Sequence, residues 1–258
     1  MSNAPAIFKT NTCTPSHIFP YARKCMALNM VPVVAVNYKA YPTAFGEKGL
    51  AIAMSADKVA REYSGSVKVI IAVPATELSR IAEVVEDAIV YAEHVDPIEP
   101  GAHTGFIPME ALKALDVRGT LVNHSEHQLK LSEIDFIIRR ATAMGIETMV
   151  CADTATAAAA VAALSPTWVA VEPPELIGTG IPVSRAKPEI IMNTVKLVHR
   201  VNPELPVLAG AGITRGEDVE AAIRLGAVGV LVASAVMKAP DPEARIRELV
   251  EAAYRATH

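Results

Sequence analysis

The sequence predicts a single closed (β/α)₈ barrel, and three observations carry that expectation. From residue 31 onward, short β-branched runs alternate with helical stretches rich in Ala, Glu and Lys, the pattern of parallel strands joined by crossover helices. No long polar linker interrupts the alternation. The first strand candidate ends in Asn37-Tyr38-Lys39 without a G-x-G-x-x-G turn, which an open doubly wound sheet binding a dinucleotide would usually carry. A chain of 258 residues, 51% hydrophobic, is long enough to bury one core of the required size.

In chain order, strands are expected at 33–36, 67–73, 88–91, 119–122, 147–151, 168–171, 207–209 and 229–232. Helices are expected between them at 49–63, 77–85, 108–115, 132–144, 154–164, 188–201, 215–225 and 241–255. Ser132 with Asp135, Thr154, and Asp241-Pro242 read as helix starts, Pro242 suiting a first helical turn. Gly145 and Gly226 read as stops. Residues 31–258 are thereby assigned to the barrel as the catalytic domain.

Residues 1–30 read as an extension outside it, with no Asp or Glu and with Lys9, Arg23 and Lys24. Ser2-Asn3-Ala4 is the kind of remnant that tag removal leaves, and Met26 and Met30 stand as starts just before the first strand. A targeting segment is the rival reading, since acid-poor basic N-termini are typical of transit peptides. Pro5, Pro15 and Pro20 would break an amphipathic helix there.

Charge and cysteine content narrow the function classes. Lys and Arg total 24 against 28 Asp and Glu, a formal charge of -4, so no overall basic field exists to hold nucleic acid or an anionic membrane. A bound phosphate would need a local site. Cys13, Cys25 and Cys151 form no C-x-x-C pair, which argues against a disulfide framework or structural zinc and fits a reducing compartment. No apolar run reaches the roughly 18 residues of a membrane span.

In such a barrel the C-terminal ends of the strands converge on one face, so polar residues there become neighbours across large sequence distances. The first strand presents Asn37 and Lys39, an amide and an ammonium two positions apart. The fourth ends in Asn123-His124-Ser125-Glu126. His124 could polarise a carbonyl there, Ser125 and Glu126 look like the opening of a short helix, and Glu126 could pair with Lys39 or face solvent. After the sixth strand, Glu172 is followed by Pro173-Pro174-Glu175-Leu176-Ile177-Gly178-Thr179-Gly180. Two prolines and two glycines around apolar residues can build a hinged lid, which would exclude water from a general base at Glu172. Ala209-Gly210-Ala211-Gly212 after strand seven and Ala233-Ser234 after strand eight offer main-chain N–H groups to an oxyanion.

Taken in order, these segments resemble the short archaeal branch of the triose-phosphate isomerase (TIM) family, over about residue 31 to the end. The resemblance implies that Glu172 is the base, His124 the electrophile, and Asn37 with Lys39 part of the substrate site, with Glu126 behind them. It further implies phosphate binding by the main chain of Ile177, Gly178, Gly212, Ala233 and Ser234. The implied reaction interconverts dihydroxyacetone phosphate and D-glyceraldehyde 3-phosphate through an enediol(ate), in glycolysis and gluconeogenesis, with no cofactor and no metal. A cytoplasmic homodimer or homotetramer is expected, with Gly101-Ala102-His103-Thr104-Gly105 resembling the loop that inserts into a partner subunit. Departures from the longer branch are a lid without Trp, Gly-Ala-Gly in place of Gly-Gly-Ser, and His127-Gln128 where two arginines often stand. Two other classes compete: a Schiff-base aldolase using Lys39 covalently, and a catalytically silent phosphate-binding barrel.

Overall fold

The computed structural model describes residues 30–173 and 187–258. Eight parallel strands close into a barrel in sequence order, the last pairing with the first. They are β1 Val33–Asn37, β2 Lys68–Val73, β3 Ile89–Ala92, β4 Gly119–Val122, β5 Glu147–Ala152, β6 Trp168–Val171, β7 Val207–Ala209 and β8 Gly229–Val232. Among the described residues nine helices follow them. These are α1 Gly46–Glu62, α2 Leu78–Ala82, α3 Met109–Ala114, α4 Leu131–Met144, α5 Ala155–Ala162, α6 Pro188–Val201, α7 Gly216–Arg224, α8 Ser234–Met237 and α9 Pro242–Thr257. None of them is long and apolar enough to cross a membrane.

Alternation along each strand sorts apolar side chains into two layers. Inside the barrel stand Ala35, Ile70, Leu121, Met149, Ala170 and Leu208 with their neighbours. The opposite faces, such as Val34, Val36, Val69 and Ile71, pack with the helices in a second cluster. The end of the barrel at the strand N-termini is closed by a polar plug. The Tyr91 hydroxyl donates to Glu147 and accepts from the Trp168 indole N–H at 3.1 Å, while Arg118 Nε donates to Glu147 at 3.0 Å. Every polar atom of Tyr91 and Trp168 side chains is thus satisfied, which makes their burial affordable in free energy.

Thr154 and Asp241 cap α5 and α9 as expected, each accepting a main-chain N–H three residues on. Gly145 ends α4 in the left-handed region at φ 69, and Gly226 follows α7 at φ 102. Ser132 does not start α4. The helix begins at Leu131, and Glu133 reaches back to accept the Lys130 N–H at 2.7 Å.

Helix α2 is shorter than the expected 77–85, because Asp57 on α1 captures the chain beyond it. Asp57 Oδ1 accepts the N–H groups of Glu86, Asp87 and Ala88 at 2.9, 2.6 and 3.0 Å. These are charge-assisted bonds to a side chain only 2% exposed, and they fix the entry into β3. Replacing Asp57 by Ala strands three donors, so we expect a loss of ~3–5 kcal/mol in unfolding free energy, read by urea denaturation.

Candidate active site

The inward alternation of the strands continues one step past their apolar residues into a polar layer at the C-terminal mouth. Two positions after Ala35 stands Asn37, two after Ala170 stands Glu172, two after Leu208 stands Gly210 and two after Leu231 stands Ala233. One cavity is lined by Asn37, Lys39, Glu126, Glu172, the 210–214 segment and the 231–234 segment. Asn37, His124 and Glu172 are each at least nine-tenths buried, so their polar atoms are held away from bulk water.

Lys39 occupies the left-handed region at φ 50, and its N–H donates to Asn37 Oδ1 at 3.0 Å. This side-chain-to-main-chain bond supports a turn that a Lys residue rarely makes. Its ammonium pairs with Glu126 at 2.8 Å. Asn123 adopts φ 59, donates to the Cys151 carbonyl at 2.9 Å and accepts the Leu129 N–H at 2.9 Å, so it fixes the segment that carries His124. The Glu126 N–H donates to His124 Nδ1 at 3.1 Å. An Nδ1 that accepts carries no proton in the neutral ring, which puts the ring proton on Nε2. Nε2 lies 3.4 Å from Glu172 Oε1 and has no hydrogen-bond partner among the described residues.

Glu172 follows β6 directly, its N–H donating to the Ala152 carbonyl at 2.8 Å. Its Oε2 is buried without a hydrogen-bond partner among the described residues, a carboxylate oxygen left available for a substrate. Beneath it, burial and the Glu172 charge push the Cys151 thiol well above its ordinary value, so Cys151 stays a neutral neighbour. On the other side of the cavity, Gly212 takes φ 72, and Asp218 Oδ2 accepts from Thr214 N–H, Thr214 Oγ1 and Arg215 N–H. Those bonds anchor the 210–214 loop. The short α8 opens at Ser234 with no side-chain cap on its first N–H groups, and Ala233 and Ser234 line the cavity together with Gly212.

The family model for triosephosphate isomerase matches residues 32–253. The chain belongs to the triosephosphate isomerase family. It is 48% identical to a triosephosphate isomerase of Methanocaldococcus jannaschii over 219 residues, 85% of this chain and 99% of that one. It is 49% identical to that of Caldivirga maquilingensis over 221 residues, 86% of this chain and 97% of the relative. That of Metallosphaera sedula is 46% identical over 226 residues, 88% and 97% of the two chains.

Within this triosephosphate isomerase family framework, the structure brings together Asn37, Lys39, His124, Glu126, Glu172, Gly212, Ala233 and Ser234 at one end of the barrel. Ile177 and Gly178 lie outside the described residues, as does the expected lid from Pro174 onward. Ser125 and Glu126 form a turn instead of opening a helix, closed by the His127 N–H on the His124 carbonyl at 2.8 Å, and the next helix waits until Leu131. His127, standing where the longer branch often has an arginine, stacks its ring on His94 at 3.8 Å. Burial lowers the His94 pKa, with Asp96 beside it acting in the opposite direction.

Three residues of the site were not singled out in the sequence. Asn123 was seen only as part of a polar run, and Cys151 only as an unpaired cysteine. Glu93 was missed, although two positions after inward-facing Tyr91 it falls in the same polar layer. Among the described residues, no cluster of three or more His, Cys, Asp or Glu is arranged to hold a metal ion.

Proposed function

We infer that this chain interconverts dihydroxyacetone phosphate and D-glyceraldehyde 3-phosphate through an enediol(ate), the reaction of glycolysis and gluconeogenesis. The observation that carries the reading is the approach of a protonated His124 Nε2 to within 3.4 Å of Glu172 Oε1 in a buried site that Lys39 also lines. In this reading Glu172 takes a proton from the carbon beside the substrate carbonyl, and the C–H electron pair moves into an enediolate. His124 Nε2–H and the Lys39 ammonium stabilise the developing oxyanion, the hydroxyl proton passes from the first oxygen to the second at His124 Nε2, and Glu172 returns the carbon proton to the neighbouring carbon. Asn37 supports this by holding the turn of Lys39.

Gly212, Ala233 and Ser234, with Ile177 and Gly178, receive the phosphate. Remote phosphate binding supplies energy that can be used at the reacting carbons. No cofactor takes part in this scheme. A coupled assay following glyceraldehyde 3-phosphate formation tests it, and absence of turnover by the folded protein would overturn it. Borohydride treatment in the presence of substrate should leave Lys39 unmodified, which separates the isomerase from a Schiff-base aldolase.

The residues 31–258 act as the catalytic domain in this reading, and the assembly is a homodimer or homotetramer in the cytoplasm. The 99–106 loop is exposed throughout, with Phe106 half-exposed at its end, and an apolar side chain on such a loop suits a subunit contact. Light scattering of the purified protein should give twice or four times the 27.4 kDa chain mass.

A further inference from the structure

The charged side chains of the substrate cavity are unfavourable to an anion. Among the described residues that line it stand one ammonium, Lys39, and two carboxylates, Glu126 and Glu172, and Lys39 is already paired with Glu126 at 2.8 Å. A phosphate dianion meets an excess of negative charge there. A second cation stands at the rim. The Lys238 ammonium lies 5.1 Å from the ring centroid of Tyr41, and Tyr41 lines the cavity. Among the described residues Lys238 has no carboxylate partner. Its place is fixed from two sides. The Lys238 N–H donates to the Ser234 carbonyl at 3.1 Å, and the Thr43 hydroxyl donates to the carbonyl of the preceding Met237 at 2.7 Å. The face of the Tyr41 ring then attracts the ammonium through its quadrupole. Tyr41 and Thr43 belong to the loop that Lys39 opens after β1, so one segment places both cations.

We propose that Lys238, seated on Tyr41, is the second cation of the substrate site, drawing the phosphate dianion in and offsetting the two carboxylates. The proposal rests on the function inferred above. Lys238 does not itself line the cavity, so it acts through space and not by contact. A charge one ring's width from the ligand falls within about a Debye length, ~10 Å at about 0.1 M salt, so its pull is felt in dilute buffer and fades in strong salt. Thr43 serves as the positioning residue, because its bond to Met237 sets where the Lys238 side chain begins.

Steady-state kinetics with glyceraldehyde 3-phosphate, run from ~0.02 to ~0.5 M KCl on the wild type, Lys238→Met and Lys238→Arg, tests this. In dilute buffer we expect Lys238→Met to lower kcat/KM ~2- to 5-fold, with the loss carried by KM, and to weaken the binding of inorganic sulfate by a similar factor. The deficit closes as salt rises, and Lys238→Arg restores the wild-type values. A deficit that persists in strong salt overturns the proposal by marking a displacement of α8, as does a Lys238→Met variant that matches the wild type at every ionic strength. Tyr41→Leu, which removes the seat, should lose part of the same salt-dependent pull in the wild type and none in the Lys238→Met background. A salt-dependent loss in that background would overturn the role of the ring. Calorimetry of sulfate binding in dilute buffer needs no turnover. A protein without isomerase activity whose Lys238→Met variant still binds sulfate more weakly separates failure of the function from failure of this inference, and equal affinities overturn the inference.

Discussion

Glu172→Gln should lower kcat by ~10⁴-fold with a KM that changes little, because the amide keeps the shape of the side chain and removes the base. The variant should fold, since the main-chain bond to the Ala152 carbonyl is kept and the amide fills the same space beside His124 and Cys151. Glu172→Asp is the more instructive comparison. It retains a carboxylate but draws it back by one methylene from the 3.4 Å approach to His124, and a misplacement of that size costs ~10²-fold. Steady-state kinetics in both directions checks each value. Near-normal turnover by Glu172→Gln would remove Glu172 from the reaction.

Gly210→Ala should damage the same step without touching a polar group. A Cβ at that position would lie 2.5 Å from Glu172 Cγ, closer than real side chains approach, and 3.2 Å from the Val171 carbonyl oxygen, a tight contact. The strand supplying Gly210 is held to β6 by the Gly210 N–H on that same carbonyl at 2.9 Å, so the side chain of Glu172 is the part that yields. We expect kcat to fall ~10²-fold through displacement of the base, with thermal unfolding changed far less than activity. A variant that loses both equally would assign Gly210 to barrel stability and not to the placement of Glu172.

The strands were legible in the sequence because strands buried on both faces read as short continuous runs of Val, Ile, Leu and Ala between helical stretches, and each expected strand lies within a residue or so of the observed one. Residue order at strand ends then placed Asn37, Lys39, His124 and Glu172 on one face. Tertiary capture was not legible. Gly46 begins α1 three residues earlier than expected, its N–H held by the Glu77 carboxylate at 3.1 Å, and Asp57 shortens α2 through donors 29–31 residues away. Neither partner is marked by local composition. Helix α8 has only four residues, too few for any period. Sequence order leaves Glu126 free to bond Lys39 or face solvent, and only the folded barrel brings Lys39 Nζ to 2.8 Å from Glu126 Oε1. Glu93 carries no motif, and only the parity of its strand could have pointed to it.

The chain has a single tryptophan, and Trp168 is sealed in the polar plug opposite the catalytic mouth, bonded to Tyr91 and lying 5.3 Å beneath the Lys68 ammonium. Its fluorescence is therefore a report on barrel closure alone. Substrate or sulfate bound at the far rim should leave the emission unchanged, whereas opening any pair of strands should wet the indole and shift it to the red. One optical signal thus measures the scaffold and is silent on the chemistry, so loss of activity at constant emission identifies a lesion confined to the site.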